Sequence, residues 1–144
     1  MITEDIIEGN IEFINGDTDL AILDFVQKEK DFSAYLLGDD FHLLSDNEKE
    51  TLLFVHVVLH KSMESLEEDF DAETFQEIEE KNWNIIDDKS KNWEEKVNFM
   101  FDGYAEEDLL AFTEDMINDD DISQLAKELI FVTAKSYIDL KTEI

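Results

Sequence analysis

Proline is absent from this chain of 144 residues, and only four glycines occur in it. Proline is the residue that most often breaks a helix, so its absence permits long helices throughout the sequence. Gly16, Gly38 and Gly103 stand where amphipathic runs end, whereas Gly9 lies within the first run. We therefore expect helices to end near Gly16, Gly38 and Gly103.

Apolar residues recur three and four positions apart along almost the whole sequence, which is the spacing of one face of a helix. Ile7 and Ile11 show this spacing in the first run. Ser45 and Glu48 have the spacing of a capping box, and they open the longest predicted helix, which we expect to reach about Phe70. The predicted helical segments are approximately 2–15, 17–30, 32–37, 45–70, 71–86, 91–103, 106–118 and 122–144.

Two of these segments carry apolar residues all around the helix. In the longest segment Leu52 and Val57 lie on opposite sides, and the last segment is apolar around Leu129 in the same way, so both should be central. The β-branched residues of 53–58 also permit a strand, but the capping box favours a helix. We predict an all-α fold, an irregular antiparallel bundle of six or seven helices around two central buried helices. It forms one helical domain over residues 1–144.

The net charge is the most unusual property of the composition. Aspartate and glutamate number 39 against 11 lysines, which gives a formal net charge of −28. Arginine is absent, so the side chain best suited to phosphates and guanine edges is missing, and the negative charge repels a nucleic-acid backbone. We therefore expect no direct binding to nucleic acid or to an anionic membrane surface. A basic protein is the partner that the charge favours.

Cysteine is also absent, so the chain has neither disulfide bonds nor thiol-based metal sites. The N-terminal residues 3–7 are acidic and amphipathic, and they lack the basic and apolar regions of a secretion signal. The longest mostly apolar run, 52–59, is far too short to span a bilayer. These features predict a soluble cytoplasmic protein.

His56 and His60 are the strongest candidates for metal ligands. They lie four residues apart on the longest predicted helix, Glu64 follows one turn later, and Glu67 is on the same side. The zinc metalloprotease helix requires a glutamate directly after the first histidine, and Val57 in that position excludes this family. Alternatively, both histidines border the apolar stripe and have a structural role. In either case, acidic neighbours should raise the pKa of both imidazoles.

Trp83 and Trp93 are the candidate residues for binding a partner. Tryptophan is frequent in the energetically important centres of interfaces, and this region carries four of the eleven lysines, which makes it the least acidic part of the sequence. The alternative is that two tryptophans at helical positions anchor the core.

No motif for covalent catalysis or nucleotide binding occurs in the sequence, so we predict no catalytic residues and no cofactor. Three hypotheses of function remain. The first is a small acidic interaction or inhibitor-type domain that binds a protein and is not an enzyme. The second is a metal-dependent helical enzyme that uses His56, His60 and Glu64. The third is a structural subunit that self-associates, since the sequence leaves the oligomeric state undetermined.

Overall fold

The computed structural model describes residues 1–66, 70–119 and 121–142, and these ranges contain helices packed against each other and no strand. The α-helices are α1 (Glu4–Gly16), α2 (Thr18–Lys28), α3 (Lys30–Leu36), α4 (Asp46–Ser62), α5 (Ala72–Ile86), α6 (Trp93–Phe101), α7 (Glu107–Asp119) and α8 (Gln124–Thr142). A short 3₁₀ helix, Asp39–Phe41, follows α3. Within these ranges no helix is long and apolar enough to cross a membrane. The prediction of an all-helical fold is confirmed.

A break at Glu29 separates α3 from α2, in agreement with the separate predicted segments 17–30 and 32–37, and the described ranges contain eight α-helices. Glu29 has φ −121° and ψ 58°, which is outside the helical region. Its carboxylate accepts hydrogen bonds from Lys141 Nζ at 2.6 Å and from the Tyr137 hydroxyl at 3.4 Å, both on α8. The break between α2 and α3 thus coincides with a tertiary contact that the sequence does not reveal.

At the N-termini of α2, α4, α5 and α6, a side chain accepts a hydrogen bond from a backbone N–H group. Asp17 caps α2 and Asp71 caps α5. At α4 the Ser45 hydroxyl accepts from the Glu48 amide at 3.2 Å, and the Glu48 carboxylate accepts from the Ser45 amide at 2.9 Å. The predicted capping box is confirmed. Gly103 follows α6 with φ +69°, a conformation that glycine adopts without strain.

The helix α4 ends at Ser62, well before the end that we expected near Phe70. Met63 and Glu64 form a turn instead, and Glu67 lies outside the described residues. The residues that follow Ser62 are rich in carboxylates, and negative charge is unfavourable at the negative end of the helix dipole. The predicted end of α4 near Phe70 was wrong. Apolar residues at helical spacing continue beyond Ser62, but the negative charge there opposes a further helical turn.

The helices α4 and α8 are the most buried, as predicted. Every residue of 130–141 on α8 is buried, and so is every residue of 55–60 on α4. The helix α8 packs against α4, α5 and α7. Because neighbours cover these helices on all sides, their polar side chains are buried too and need partners inside the protein.

A cluster of aromatic rings fills the space between α2, α3, α5 and α8. Phe32 is fully buried at its centre, and its ring stacks on that of Tyr137 with centroids 4.5 Å apart and an interplanar angle of 9°. The other rings with centroids 5.2 to 6.4 Å from that of Phe32 are Phe25, Tyr35, His56, Phe70 and Phe75. Such ring pairs each contribute about 0.5–1.5 kcal/mol beyond the area that they bury.

A network of polar side chains connects α8 with α5 inside the protein. Lys135 and Asp139 are 8% and 5% exposed, and Lys135 Nζ lies 2.9 Å from Asp139 Oδ2. The Asn82 amide accepts from Lys135 at 3.1 Å and donates to Asp139 at 3.2 Å. The Tyr104 hydroxyl donates to Asp139 Oδ1. Both buried charges are therefore paired with each other and with neutral hydrogen-bonding groups.

Salt should stabilise this protein, because a net charge of −28 on one folded chain opposes folding by self-repulsion. Raising the NaCl concentration from about 0.01 M to about 1 M shortens the Debye length from about 30 Å to about 3 Å. We expect the urea midpoint of unfolding to rise over this range, urea being chosen because it is uncharged. A midpoint that stays constant or falls would contradict this prediction.

Candidate functional site

His56 lies in the core. It is fully buried, and its ring packs against those of Phe32 and Tyr137 at centroid distances of 5.4 and 6.0 Å. Its Nδ1 lies 2.8 Å from the Leu52 carbonyl oxygen, and because a carbonyl can only accept, Nδ1 carries the proton. Its Nε2 has no hydrogen-bond partner among the described residues.

The pKa of His56 shifts in the direction opposite to our expectation. Burial lowers it to about 4, and the carbonyls of Leu52 and Thr133 oppose this shift only in part. The expectation that acidic neighbours raise the pKa was wrong for this residue, because the cost of a charge in the core outweighs distant carboxylates. The imidazole therefore stays neutral at physiological pH.

Protein stability should fall as the pH drops from the ordinary pKa of histidine, 6.5, toward about 4. In this range the unfolded chain binds a proton at His56 that the folded protein does not bind, so protonation favours unfolding. The stabilisation that comes from keeping His56 neutral is fully present above pH 6.5. It decreases by about 3 kcal/mol as the pH falls to the pKa of His56 in the folded protein. Because carboxylates titrate in the same range, the unfolding free energy is measured for wild type and for His56→Phe. The variant should show the flatter pH profile, and parallel profiles would contradict the prediction.

His60 lies one turn further along α4, at the edge of the core. It is 6% exposed, and its ring lies 5.4 Å from that of Phe25. Its Nε2 is 3.5 Å from Asp24 Oδ2 and has no hydrogen-bond partner among the residues that the structure describes. Burial lowers the pKa of His60, and the charge of Glu29 is the largest opposing effect. The expected rise of the pKa was wrong here too, for the same reason as at His56.

Three side chains with metal-ligating atoms meet beside this ring. Asp24 extends from α2, His60 from α4, and Glu64 from the turn after α4. One ligating atom of each lies within 4.8 Å of the other two. The structure brings two of the predicted metal ligands together, His60 and Glu64. The third predicted ligand, His56, is not part of this cluster, and Asp24 is its third member instead. Sequence analysis misses Asp24 because residues on different helices share no spacing pattern.

Two lysines contact the carboxylates of this cluster. Lys28 Nζ lies 3.1 Å from Asp24 Oδ1, the oxygen that does not face His60. Lys61 Nζ lies 3.3 Å from Glu64 Oε2. Burial raises the pKa of Asp24, but the contacts and charges of Lys28 and His60 together outweigh this effect and hold the pKa below the usual value. Asp24 is therefore ionised at neutral pH, with Oδ2 directed toward the imidazole.

A pocket of about 250 Å³ opens beside the cluster. Asp24 and His60 form part of its polar wall. Its apolar wall consists of Phe13, Ile14, Leu20, Ala21 and Val57. Phe13 and Leu20 are more than half exposed, so small molecules and ions reach the cluster from the surface.

Trp83 and Trp93 are both half-buried and pack against the core. The Trp93 ring meets that of Phe131 edge-on, with centroids 5.7 Å apart. Lys96, one of the lysines in this region, donates a hydrogen bond to the Ile86 carbonyl. Both tryptophans thus contribute to packing, and their role in binding a partner stays a prediction.

A second pocket, of about 290 Å³, lies between α1 and α7. Its floor is formed by the apolar residues Ile7, Ile11, Ala111, Phe112 and Met116. Its rim is formed by the carboxylates Glu4, Glu8, Asp108 and Asp115. We call this floor and rim together the α1–α7 groove. Ile11 and Met116 are only partly buried, so part of the apolar floor faces solvent.

Comparison of the chain with models of protein families, with curated proteins and with solved structures found no match. No relative therefore assigns a role to the α1–α7 groove or to the cluster of Asp24, His60 and Glu64.

Proposed function

We propose that this protein is a small acidic interaction domain, not an enzyme, that binds a basic protein through the α1–α7 groove. The observation that carries the proposal is an apolar floor surrounded by four carboxylates. An amphipathic cationic helix presents the complementary surface, with an apolar stripe flanked by lysine or arginine. The occupant of the groove is therefore a basic amphipathic segment of a partner protein.

The charge along the groove has one sign. The sequence contains no lysine in residues 1–27 or in residues 97–126, the two stretches that include α1 and α7. One rim oxygen is already engaged, since Asp108 accepts a hydrogen bond from the Glu4 amide at 3.2 Å. The negative charge of the rim carboxylates attracts cations. A negative field of this kind accelerates association with a cationic partner and makes binding sensitive to salt.

Charge reversal in the groove should weaken the binding of a cationic amphipathic peptide more than the same reversal elsewhere. The probe is a labelled helical peptide of lysine and leucine, and binding is measured by fluorescence anisotropy. The variant Glu8→Lys/Asp115→Lys changes two exposed rim residues, and Glu73→Lys/Glu77→Lys on α5 changes two exposed residues outside the groove by the same net charge. We expect the groove variant to lose at least about tenfold more affinity than the control, or about 1.4 kcal/mol.

Equal losses in the two variants would show that the peptide senses only the overall charge, and they would overturn the assignment to the groove. The substitution Met116→Gln tests the apolar floor separately, and it should weaken binding without changing the net charge. A natural partner captured from the native lysate at low salt should be retained by the α5 control variant and lost from the groove variant.

A second copy of this chain is a poor occupant of the groove, because its surface carries the same negative charge. We expect light scattering at low salt to show a monomer. A concentration-dependent dimer that the substitution Met116→Gln abolishes would replace the proposal by the hypothesis of a self-associating subunit.

A further inference from the structure

We propose that Asp24, His60 and Glu64 bind one divalent transition-metal ion, with Zn²⁺ as the best fit, in a site separate from the α1–α7 groove. The donor set is one imidazole nitrogen and two carboxylates, all of which are ligands that Zn²⁺ accepts. Three protein ligands leave a fourth tetrahedral position for water or a small ligand. The pocket beside the cluster gives access to that position.

The strongest observation for this site is the buried Nε2 of His60, which makes no hydrogen bond of good geometry with any described residue. The side chain is more than nine-tenths buried, and buried polar atoms without a partner are rare in folded proteins. The neighbouring Asp24 Oδ2 lies 3.5 Å away, which is too far for a good hydrogen bond. A metal ion bound to both atoms would give Nε2 the partner that it lacks.

The distances fit a site that closes slightly when the ion binds. Ligands about 2.0–2.1 Å from a tetrahedral zinc ion lie about 3.3 Å from each other. The distance of 3.5 Å between His60 Nε2 and Asp24 Oδ2 is already close to this value, whereas distances within the cluster reach up to 4.8 Å. Glu64 is the ligand that must move. Its backbone amide donates to the Lys61 carbonyl at 3.4 Å, but its exposed side chain is beyond the end of α4 at Ser62 and contacts Lys61 Nζ at the surface, so the carboxylate can turn toward the ion by giving up a surface ion pair.

The buried imidazole distinguishes this cluster from the other carboxylates of an acidic protein. Exposed aspartates and glutamates attract cations weakly and without selectivity, whereas an imidazole ligand favours transition metals over calcium and magnesium. The site should therefore select Zn²⁺ or Co²⁺ over Ca²⁺.

Titration with Co²⁺, a spectroscopic substitute for Zn²⁺, tests the site directly. We expect one equivalent to bind, to show the visible absorption of a four-coordinate ion, and to be displaced by Zn²⁺. Removing one of the three ligands should lower the affinity for Co²⁺. We expect a loss of about tenfold or more in Asp24→Asn and in Glu64→Gln, and of about 100-fold in His60→Gln. Glu12→Gln and His42→Gln, both at exposed positions outside the cluster, are the matched controls and should bind as wild type does.

A lysine substitution gives a test in the opposite direction. Lys28 contacts Asp24 and competes with a metal ion for its charge, so Lys28→Met should raise the affinity for Co²⁺ several-fold. Lys30→Met removes the same charge from an exposed position of α3 and should raise the affinity less, because it only increases the overall negative field.

Long-range ¹H–¹⁵N NMR spectra of the histidine rings identify the ligating nitrogen. The proposal requires Zn²⁺ to shift the Nε2 resonance of His60. The proposal would be overturned by any of three results. These are binding of Co²⁺ to several weak sites, an equal loss of Co²⁺ affinity in Glu12→Gln and Asp24→Asn, or an Nε2 resonance that Zn²⁺ leaves unchanged. Asp24 and Glu64 are partly exposed, so their variants should keep the fold even where circular dichroism shows that His60→Gln does not.

Discussion

Replacing Asp139 by alanine should destabilise the protein by about 3–5 kcal/mol, because it leaves the ammonium group of Lys135 buried without its counter-charge. The two side chains are almost fully buried and lie 2.9 Å apart. Asn82 and Tyr104 also lose the carboxylate to which they donate hydrogen bonds. The unfolding free energy, measured with urea, checks this expectation.

A double-mutant cycle shows whether the loss comes from the unpaired charge. Lys135→Met and Asp139→Asn each break the ion pair, and the double variant should lose less than the two single variants together, by about 0.5–3 kcal/mol. Asp24 and Lys28 form a pair of the same helical spacing at a much more exposed place, so Asp24→Ala should cost about 1 kcal/mol or less without added metal. If Asp139→Ala and Asp24→Ala lowered the unfolding free energy by similar amounts, burial would not be the reason for the large effect expected at Asp139.

Replacing Phe32 by alanine should cost about 3–5 kcal/mol, since it removes a fully buried ring and leaves a cavity. The ring stacks on Tyr137 and touches aromatic side chains of α2 and α5, so the surrounding rings cannot close the space without moving several helices. We also expect the near-ultraviolet circular dichroism of the aromatic cluster to weaken. Unfolding in urea gives the free-energy change.

Phe13→Ala is the control for this substitution, because Phe13 is 61% exposed and lies outside the aromatic cluster. It should cost about 1 kcal/mol or less. Phe32→Leu keeps much of the buried volume and should cost less than Phe32→Ala. An equal loss of unfolding free energy in Phe32→Ala and Phe13→Ala would contradict the prediction that the Phe32 ring is central to the core.

Much of the local structure was predictable, because its signals lie within a few residues of each other. Ser45 and Glu48 are three residues apart in the sequence, and their side chains form the capping box that opens α4. Asp71 caps α5 in a similar way. The apolar spacing around Leu52 and Leu129 likewise indicated which two helices are buried on all sides. The end of α4 was predicted less well, because charge beyond Ser62 competes with the apolar pattern.

The candidate site was only partly predictable. Spacing along one helix placed His60 and Glu64 near each other, and the structure shows that they are close. It also suggested His56, but that ring points into the aromatic core, where Phe32 and Tyr137 pack against it. Asp24 has no sequence relation to His60 that periodicity detects. Only the packing of α2 against α4 brings the two side chains together.

By itself, the sequence determined the helical fold class, the two central helices and the negative charge, because helical periodicity, caps and charge arise from neighbouring residues. The tertiary structure decided which groups from distant segments meet. It places Asn82 beside Lys135 and Asp139, Asp24 beside His60, and the carboxylates of α1 opposite those of α7. These contacts depend on how helices pack, and packing is a balance of many side chains along the whole chain. No local pattern encodes that balance.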